Sequence, residues 1–199
     1  MLLRSIVAAT AIFTSSAAIS ETYVLDPSHT EVVFSWNHAG LTTQRGEWTS
    51  VAGEIDFDPA DVMATSARVE IDANSLHSGF EALDVELKGE GFFDVESNPT
   101  ITFTSTSAVQ TGAQSMRLSG DLMVKGQTVP AVLEVNMTFQ GEHPLGGFFD
   151  YYQGEWIGVE ATSSLLRSEV GVGQFAPLTS DVVQLEISAE MRKGGWPEQ

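Results

Sequence analysis

Most of the chain after residue 20 consists of segments in which apolar and polar residues alternate with a period of two. Val32, Phe34 and Trp36 share one face of the first segment, and a longer run over residues 133–139 repeats the pattern. Such alternation predicts β-strands with one buried and one exposed face. Turn-forming Gly, Pro, Asn and Asp separate the segments, and about eight strands are predicted. The remaining predicted strands lie near residues 54–58, 68–72, 100–104, 116–125, 155–166 and 183–190.

The turn over residues 125–128 joins two long segments as a hairpin, which predicts antiparallel pairing. Strands with one apolar face either close into a barrel or stack as a sandwich, and alternation alone favours neither. One segment has a helical period instead. Phe80, Leu83 and Leu87 follow an S-x-x-E sequence that starts at Ser78, which predicts a short helix with a capping box, ending at Gly89.

The first twenty residues have the layout of a secretory signal peptide, with Arg4 before an apolar stretch and Ala18-Ile19-Ser20 as the cleavage site. This stretch is too short to span a bilayer, and no later segment is long enough to do so. We therefore expect residues 1–20 to be removed and residues 21–199 to form one exported, periplasmic barrel domain.

Composition excludes several classes of function. The chain has no cysteine, so disulfides and thiol catalysis are excluded. Removal of Arg4 with the signal leaves 8 basic and 27 acidic residues, a net charge of −19. A surface with that charge repels nucleic acid phosphates, so DNA or RNA binding is not expected.

Six short motifs occur in an order that resembles a known family. They are Tyr23–Thr30 (Y-x-[IL]-D-x-x-H-[ST]), Phe34–Gly40 (F-x-x-x-H-x-G), Gly53–Pro59 (G-x-I-x-F-D-P), Leu87–Thr106, Gly120–Gly126 (G-x-L-x-x-x-G) and Arg167–Gly171, close to R-S-D-F-G. Together they resemble the YceI family, the lipocalin-like polyisoprenoid-binding proteins of bacteria. This resemblance covers nearly all of the mature chain.

The resemblance implies an all-β fold: an extended eight-stranded antiparallel lipocalin-like β-barrel with one short helix and a long apolar lumen. The implied function is non-enzymatic binding, storage or transport of a long apolar lipid, such as a polyprenyl phosphate or an isoprenoid quinone. No other cofactor is expected, and a homodimer is possible on this reading. The side chains on the predicted inner face are the candidate lumen ligands: Phe34, Trp36, His38, Ile55, Phe57, Val69, Ile71, Phe103, Met116, Leu118, Leu133, Val135, Met137 and Leu185.

Two polar residues are candidates for contact with the lipid headgroup. His38 continues the parity of Trp36, so it is either a hydrogen-bonded core histidine or a polar anchor at the lumen mouth. Arg167 is one of few cations, and either forms a salt bridge or binds a phosphate or carbonyl headgroup.

His29 and His38 lie nine residues apart with an extended strand between them, too far to share a metal ion. No metal site and no catalytic residue is therefore predicted, and His29 is expected to stabilise the local turn. Two alternatives stay open: a stress-related interaction domain with a filled barrel and no ligand, and a histidine-dependent enzyme acting on a lipid. The aromatic stretch Phe148–Tyr152 has no predicted place in this fold.

Overall fold

The computed structural model describes residues 20–196. The predicted signal peptide lies outside these residues except for Ser20. Within residues 20–196 no helix is long and apolar enough to cross a membrane. The ten strands are β1 (Glu21–His38), β2 (Thr42–Trp48), β3 (Val51–Phe57), β4 (Ser66–Asp72), β5 (Leu76–His77), β6 (Thr100–Gln110), β7 (Ser115–Val124), β8 (Gln127–Glu142), β9 (Glu155–Leu166) and β10 (Thr179–Lys193), and the α-helix is α1 (Glu81–Lys88).

Eight of the strands close into an antiparallel barrel in the order β1-β3-β4-β6-β7-β8-β9-β10, with β10 pairing back to β1. Closure confirms the predicted eight-stranded barrel and excludes the sandwich. Strand β1 is long enough to pair twice on one side: residues 21–24 pair with β3, and residues 32–38 pair with β2. The short β5 continues the sheet beyond β2.

The predicted hairpin between β7 and β8 is confirmed. Lys125 and Gly126 form its two-residue turn, and both have positive φ angles, 49° and 70°. Two-residue turns of this handedness match the twist of antiparallel strands. The alternation along β8 is also confirmed, because residues 131, 133, 135 and 137 are buried or half-buried, whereas residues 132, 134, 136 and 138 are exposed.

Helix α1 follows β5, and its start differs from the prediction. The N-cap is Phe80, which makes no side-chain cap, and the Ser78 hydroxyl donates to the Asp84 carboxylate instead. Asp84 also accepts from the Ser78 backbone N–H and from His77. The carboxylate thus fixes the turn before the helix, and the predicted capping box with Glu81 is wrong. Gly89 is the C-cap, as predicted.

The aromatic stretch that the sequence does not place, Phe148–Tyr152, belongs to the connection between β8 and β9. Tyr152 stacks on His143, with ring centroids 4.3 Å apart. The ring of Trp156 lies 5.0 Å from His143 and is 1% exposed. The Tyr151 hydroxyl donates a 2.7 Å hydrogen bond to Asp26 of β1. The stretch therefore ties this connection to β1.

Candidate ligand-binding site

An apolar cavity of about 580 Å³ occupies one part of the barrel interior. Its walls come from the second half of β1, from β2, from the start of β10 and from α1 with the turn after it. Single residues or pairs from β4, β6, β7 and β9, and residues 167–175, complete the lining. This volume lies within the range of about 300–1,000 Å³ that is typical of small-molecule sites. The cavity is the candidate functional site of the described chain.

An aromatic wall lines the cavity on the β1–β2 side. The Phe34 ring stacks with Trp36 at 5.7 Å and lies 4.6 Å from Trp48, whose ring meets Phe93 edge-on at 5.5 Å. Gly46 pairs with Phe34 across the strands, and a Cβ atom at Gly46 would lie only 2.5 Å from the Phe34 ring. The missing side chain at Gly46 therefore sets the position of this ring.

Helix α1 and the turn after it form a second wall, which meets the aromatic wall at Phe93. Leu83 and Leu87 of the helix line the cavity together with Phe92 and Phe93 of the turn. The helix is amphipathic, with Glu81, Val85 and its other outer positions exposed, so burial of its inner face depends on the barrel. Phe80 and Phe175 line the cavity yet are 67% and 53% exposed, which marks the mouth.

Five polar side chains line the cavity: His38, Gln44, Glu86, Arg167 and Thr179. His38 is exposed and pairs with Thr179 after an irregularity in the β1–β10 register. The interpretation of His38 as a core histidine is therefore wrong, because the strand leaves the core at this point. His38 stands at the mouth.

Arg167 lines the cavity but has no N–H group left for a ligand. Its guanidinium makes five hydrogen bonds, four to backbone carbonyls and one to the Thr179 hydroxyl. Burial lowers the pKa of Arg167, and within residues 20–196 no carboxylate forms an ion pair with it. The predicted salt bridge is wrong, and Arg167 instead holds the β9–β10 connection to the barrel.

The structure divides the fourteen predicted lumen residues into two groups. Five line the cavity: Phe34, Trp36, His38, Ile71 and Leu185. The other nine belong to the core or pack against it without lining the cavity: Ile55, Phe57, Val69, Phe103, Met116, Leu118, Leu133, Val135 and Met137. The predicted lining is therefore wrong for these nine residues. Alternation identifies the inward face of a strand but not the part of the barrel that is hollow.

Several lining residues lie outside the predicted set. Some of them come from α1, from the turn after it and from residues 170–175, where no period of two exists. The other apolar ones lie on strands beside the predicted residues: Val32, Trp48, Ile101, Leu122, Val124, Leu165 and Val183. A signal was present for the helix, because the apolar face of Phe80, Leu83 and Leu87 must be buried by the barrel. Nothing comparable marks Val172 and Phe175.

His29 has the local role that its sequence context predicts. Its Nδ1 atom donates a 2.9 Å hydrogen bond to the Asp26 carboxylate, in a part of β1 distant from His38. Burial alone would raise the pKa of Asp26, but hydrogen bonds from His29, Ser28 and Tyr151 together lower it. The same bond to Asp26 raises the pKa of His29.

A closed antiparallel barrel with an apolar cavity and a few polar groups at the mouth defines a class of small-molecule binding barrels, the lipocalin-like proteins. The chain also matches the family model of the YceI-like domain over residues 23–191. It therefore belongs to the YceI-like family.

Known proteins agree with this assignment. A UPF0312 protein of Vibrio cholerae is 32% identical to this chain over 176 residues, which are 87% of this chain and 88% of that protein. A UPF0312 protein of Pseudomonas syringae is 30% identical over 190 residues, which are 94% of this chain and 95% of that protein. The crystal structure of BcnA from Burkholderia cenocepacia superposes with a TM-score of 0.73 at 20% identity, over 83% of this chain and 98% of that one. A polyisoprenoid-binding domain from Saccharophagus degradans superposes with a TM-score of 0.62 at 14% identity, over 86% and 98%.

Proposed function

We propose that this protein is an exported, periplasmic barrel that binds one long apolar lipid, of polyisoprenoid or isoprenoid-quinone type, for storage or transport. The observation that carries the proposal is the 580 Å³ apolar cavity with an open mouth. Each methylene group removed from water contributes roughly 0.8 kcal/mol, so a long chain binds tightly by burial alone. The Saccharophagus degradans protein is named a polyisoprenoid-binding domain, and its similar fold supports the same ligand class.

The groups around the cavity support a ligand with an uncharged head. A phosphate needs free N–H donors or a cation that can reach it. The five hydrogen bonds of Arg167 leave it without a free donor, and Glu86 adds a carboxylate to the lining. His38 and Gln44 can instead donate to a carbonyl or hydroxyl oxygen at the mouth. An isoprenoid quinone therefore fits this site better than a polyprenyl phosphate.

The proposed mechanism is burial without chemistry. Of the polar side chains of the lining, His38, Gln44 and Glu86 are not buried, Arg167 is fixed by backbone carbonyls, and none of the five is a serine or cysteine nucleophile. The filled-barrel alternative requires an occluded interior, which the cavity volume disfavours.

The test is a titration of the delipidated mature protein with an isoprenoid quinone and with a polyprenyl phosphate of equal chain length. Trp36 and Trp48 line the cavity, so a bound quinone is expected to quench their fluorescence. We expect saturation at one quinone per chain, with the phosphate at least about tenfold weaker, equal to 1.4 kcal/mol. Equal affinity for both, or none for either, contradicts the proposal.

A pair of variants separates cavity binding from surface binding. Val183→Phe adds a ring at a buried lining position, whereas Val132→Phe adds one at a position that is 42% exposed and outside the cavity. We expect V183F to lose quinone binding and V132F to retain it. Retention by both variants would contradict binding in the cavity.

A further inference from the structure

The Asp26–His29 segment forms an unusual bulge in β1. Leu25 pairs with Met191 of β10 and Thr30 pairs with Ala189, so four residues of β1 lie opposite the single residue Glu190. Extra residues in one strand leave the ladder and redirect their side chains. Here the bulge brings ligating atoms of Asp26, His29 and Glu190 within 4.8 Å of one another.

A second imidazole lies beside this cluster. His143 Nε2 is 3.7 Å from Glu190 Oε2, while His29 Nδ1 is 2.9 Å from Asp26 Oδ2. Bonds of about 2.0–2.1 Å to a tetrahedral ion require ligand atoms about 3.3–3.4 Å apart. The ligand atoms of Asp26, His29 and Glu190 are already within 4.8 Å of one another, and His143 approaches this group at Glu190. The stacking of Tyr152 on His143 orients that ring.

The cluster has an excess of negative charge. Asp26 is fully buried, and neither Asp26 nor Glu190 forms an ion pair with a Lys or Arg of residues 20–196. Two carboxylates are thus balanced only by two histidines, whose charge depends on protonation. Buried carboxylates are stabilised by a paired cation or a metal ion.

The hydrogen bonds of Asp26 leave one oxygen available. Its Oδ1 atom accepts from the Ser28 N–H, the Ser28 hydroxyl and the Tyr151 hydroxyl, whereas Oδ2 accepts only from His29. Three bonds therefore orient the carboxylate through Oδ1, and a metal ion at Oδ2 replaces only the single bond from His29. Such outer hydrogen bonds are typical of metal ligands.

An access route exists. A second cavity of about 500 Å³, distinct from the lumen, is lined by His29, His143 and Glu190 together with Trp156. His29 is exposed, so an ion from solution reaches the cluster without entering the lipid cavity. The site is therefore independent of the proposed lipid binding.

We propose that Asp26, His29 and Glu190, with His143 as fourth ligand, bind one divalent transition-metal ion of the zinc class. Imidazole and carboxylate ligands suit this class. The ion links β1, β10 and the β8–β9 connection, and so stabilises the barrel away from the lumen. In this arrangement His29 ligates through Nδ1 as a neutral imidazole that carries its proton on Nε2.

The test is equilibrium dialysis of the full mature chain against ZnCl2, with thermal unfolding measured in parallel. We expect one Zn²⁺ per chain with a Kd of about 10 μM or tighter, and an increase in Tm on Zn²⁺ addition. His29→Ala is expected to weaken binding at least about tenfold. His38→Ala, which removes a histidine at the lumen mouth, is the matched control and retains full binding.

Glu190→Gln provides a second variant, because it removes a ligand charge at a half-buried position with little change of shape. It is expected to weaken Zn²⁺ binding as His29→Ala does, while the Tm measured in EDTA stays near that of the unmodified chain. The proposal is overturned if the chain takes up no Zn²⁺ at a free Zn²⁺ concentration of about 10 μM, the weakest expected Kd. It is equally overturned if H29A and H38A bind Zn²⁺ alike.

Discussion

Arg167 shows how a residue at the lumen can be structural. Four of its five hydrogen bonds go to the carbonyls of Val172, Gln174, Thr179 and Ser180, of which the bond to Val172 is buried and the other three are partly buried. Unsatisfied buried polar groups cost about 1–3 kcal/mol each, so the side chain stabilises the β9–β10 connection strongly. The positive charge alone does not explain its position.

We predict that Arg167→Ala lowers the free energy of unfolding by about 2–4 kcal/mol, because several carbonyls lose their donors together. Urea denaturation measures the change. Arg117→Ala is the control: Arg117 pairs with Glu134 on the exposed surface, where the loss is at most about 1 kcal/mol. An R167A protein as stable as the unmodified chain would assign Arg167 to ligand binding instead.

Gly46 carries a second prediction at this scale. Gly46→Ala puts a methyl group 2.5 Å from the Phe34 ring, so the ring must shift and the aromatic wall must repack. We expect a loss of about 1–3 kcal/mol in unfolding free energy, with weaker binding of any lumen ligand. Calorimetry with and without ligand measures both effects.

Gly147→Ala is the matched control for that change, since nothing lies within 4 Å of the added methyl group. It should leave stability and binding unchanged. Equal behaviour of the two variants would show that Gly46 does not position Phe34.

At the scale of elements, the bulge in β1 has a pH dependence that follows from the Asp26–His29 pair. The raised pKa of His29 means that its contribution to stability is complete below about pH 6.5 and is lost as the pH rises through the raised value. The lowered pKa of Asp26 means that its contribution is complete above pH 3.8 and is lost as the pH falls through the lowered value.

We therefore predict that His29→Gln destabilises the protein most between about pH 4 and 6.5 and progressively less above that range. The effect is at most about 1 kcal/mol, because the His29 side chain is 41% exposed. Urea denaturation in EDTA at pH 5.5 and pH 8.5 measures it. A destabilisation that grows with pH would contradict the pairing.

Helix α1 gives a further test. Ser78→Ala removes the hydroxyl that donates to Asp84 and is expected to cost about 1 kcal/mol of unfolding free energy. Glu81→Ala should change stability by less than about 0.5 kcal/mol, because no capping box forms. A larger loss of stability for E81A than for S78A in thermal unfolding would show that the capping box does form.

The elements also show where sequence reasoning succeeds. The period of two in β8 and the Lys125–Gly126 turn depend on local pattern and backbone preference, and both are predictable. The four-residue bulge opposite Glu190 is not, because it depends on how two distant strands align. For the same reason no pattern in β1 alone places Asp26 beside Tyr151.

At the scale of the whole molecule, the barrel has a packed part and a hollow part. Met137 and Phe34 both belong to the inward-facing series of their strands, yet only Phe34 lines the cavity. The difference arises where β2 takes the place of β3 beside β1 and α1 forms a wall. Only the assembled barrel contains this information, so the predicted site was correct in face and incomplete in position.

The proposed function requires that the cavity carries one long apolar molecule. Native mass spectrometry of the mature protein, purified from the cells that produce it and followed by lipid extraction, tests this claim most directly. We expect a one-to-one adduct that releases an isoprenoid lipid with an uncharged head. A clean apo mass, with no uptake of prenyl lipids or fatty acids on addition, would contradict it and favour a barrel that acts through its surface.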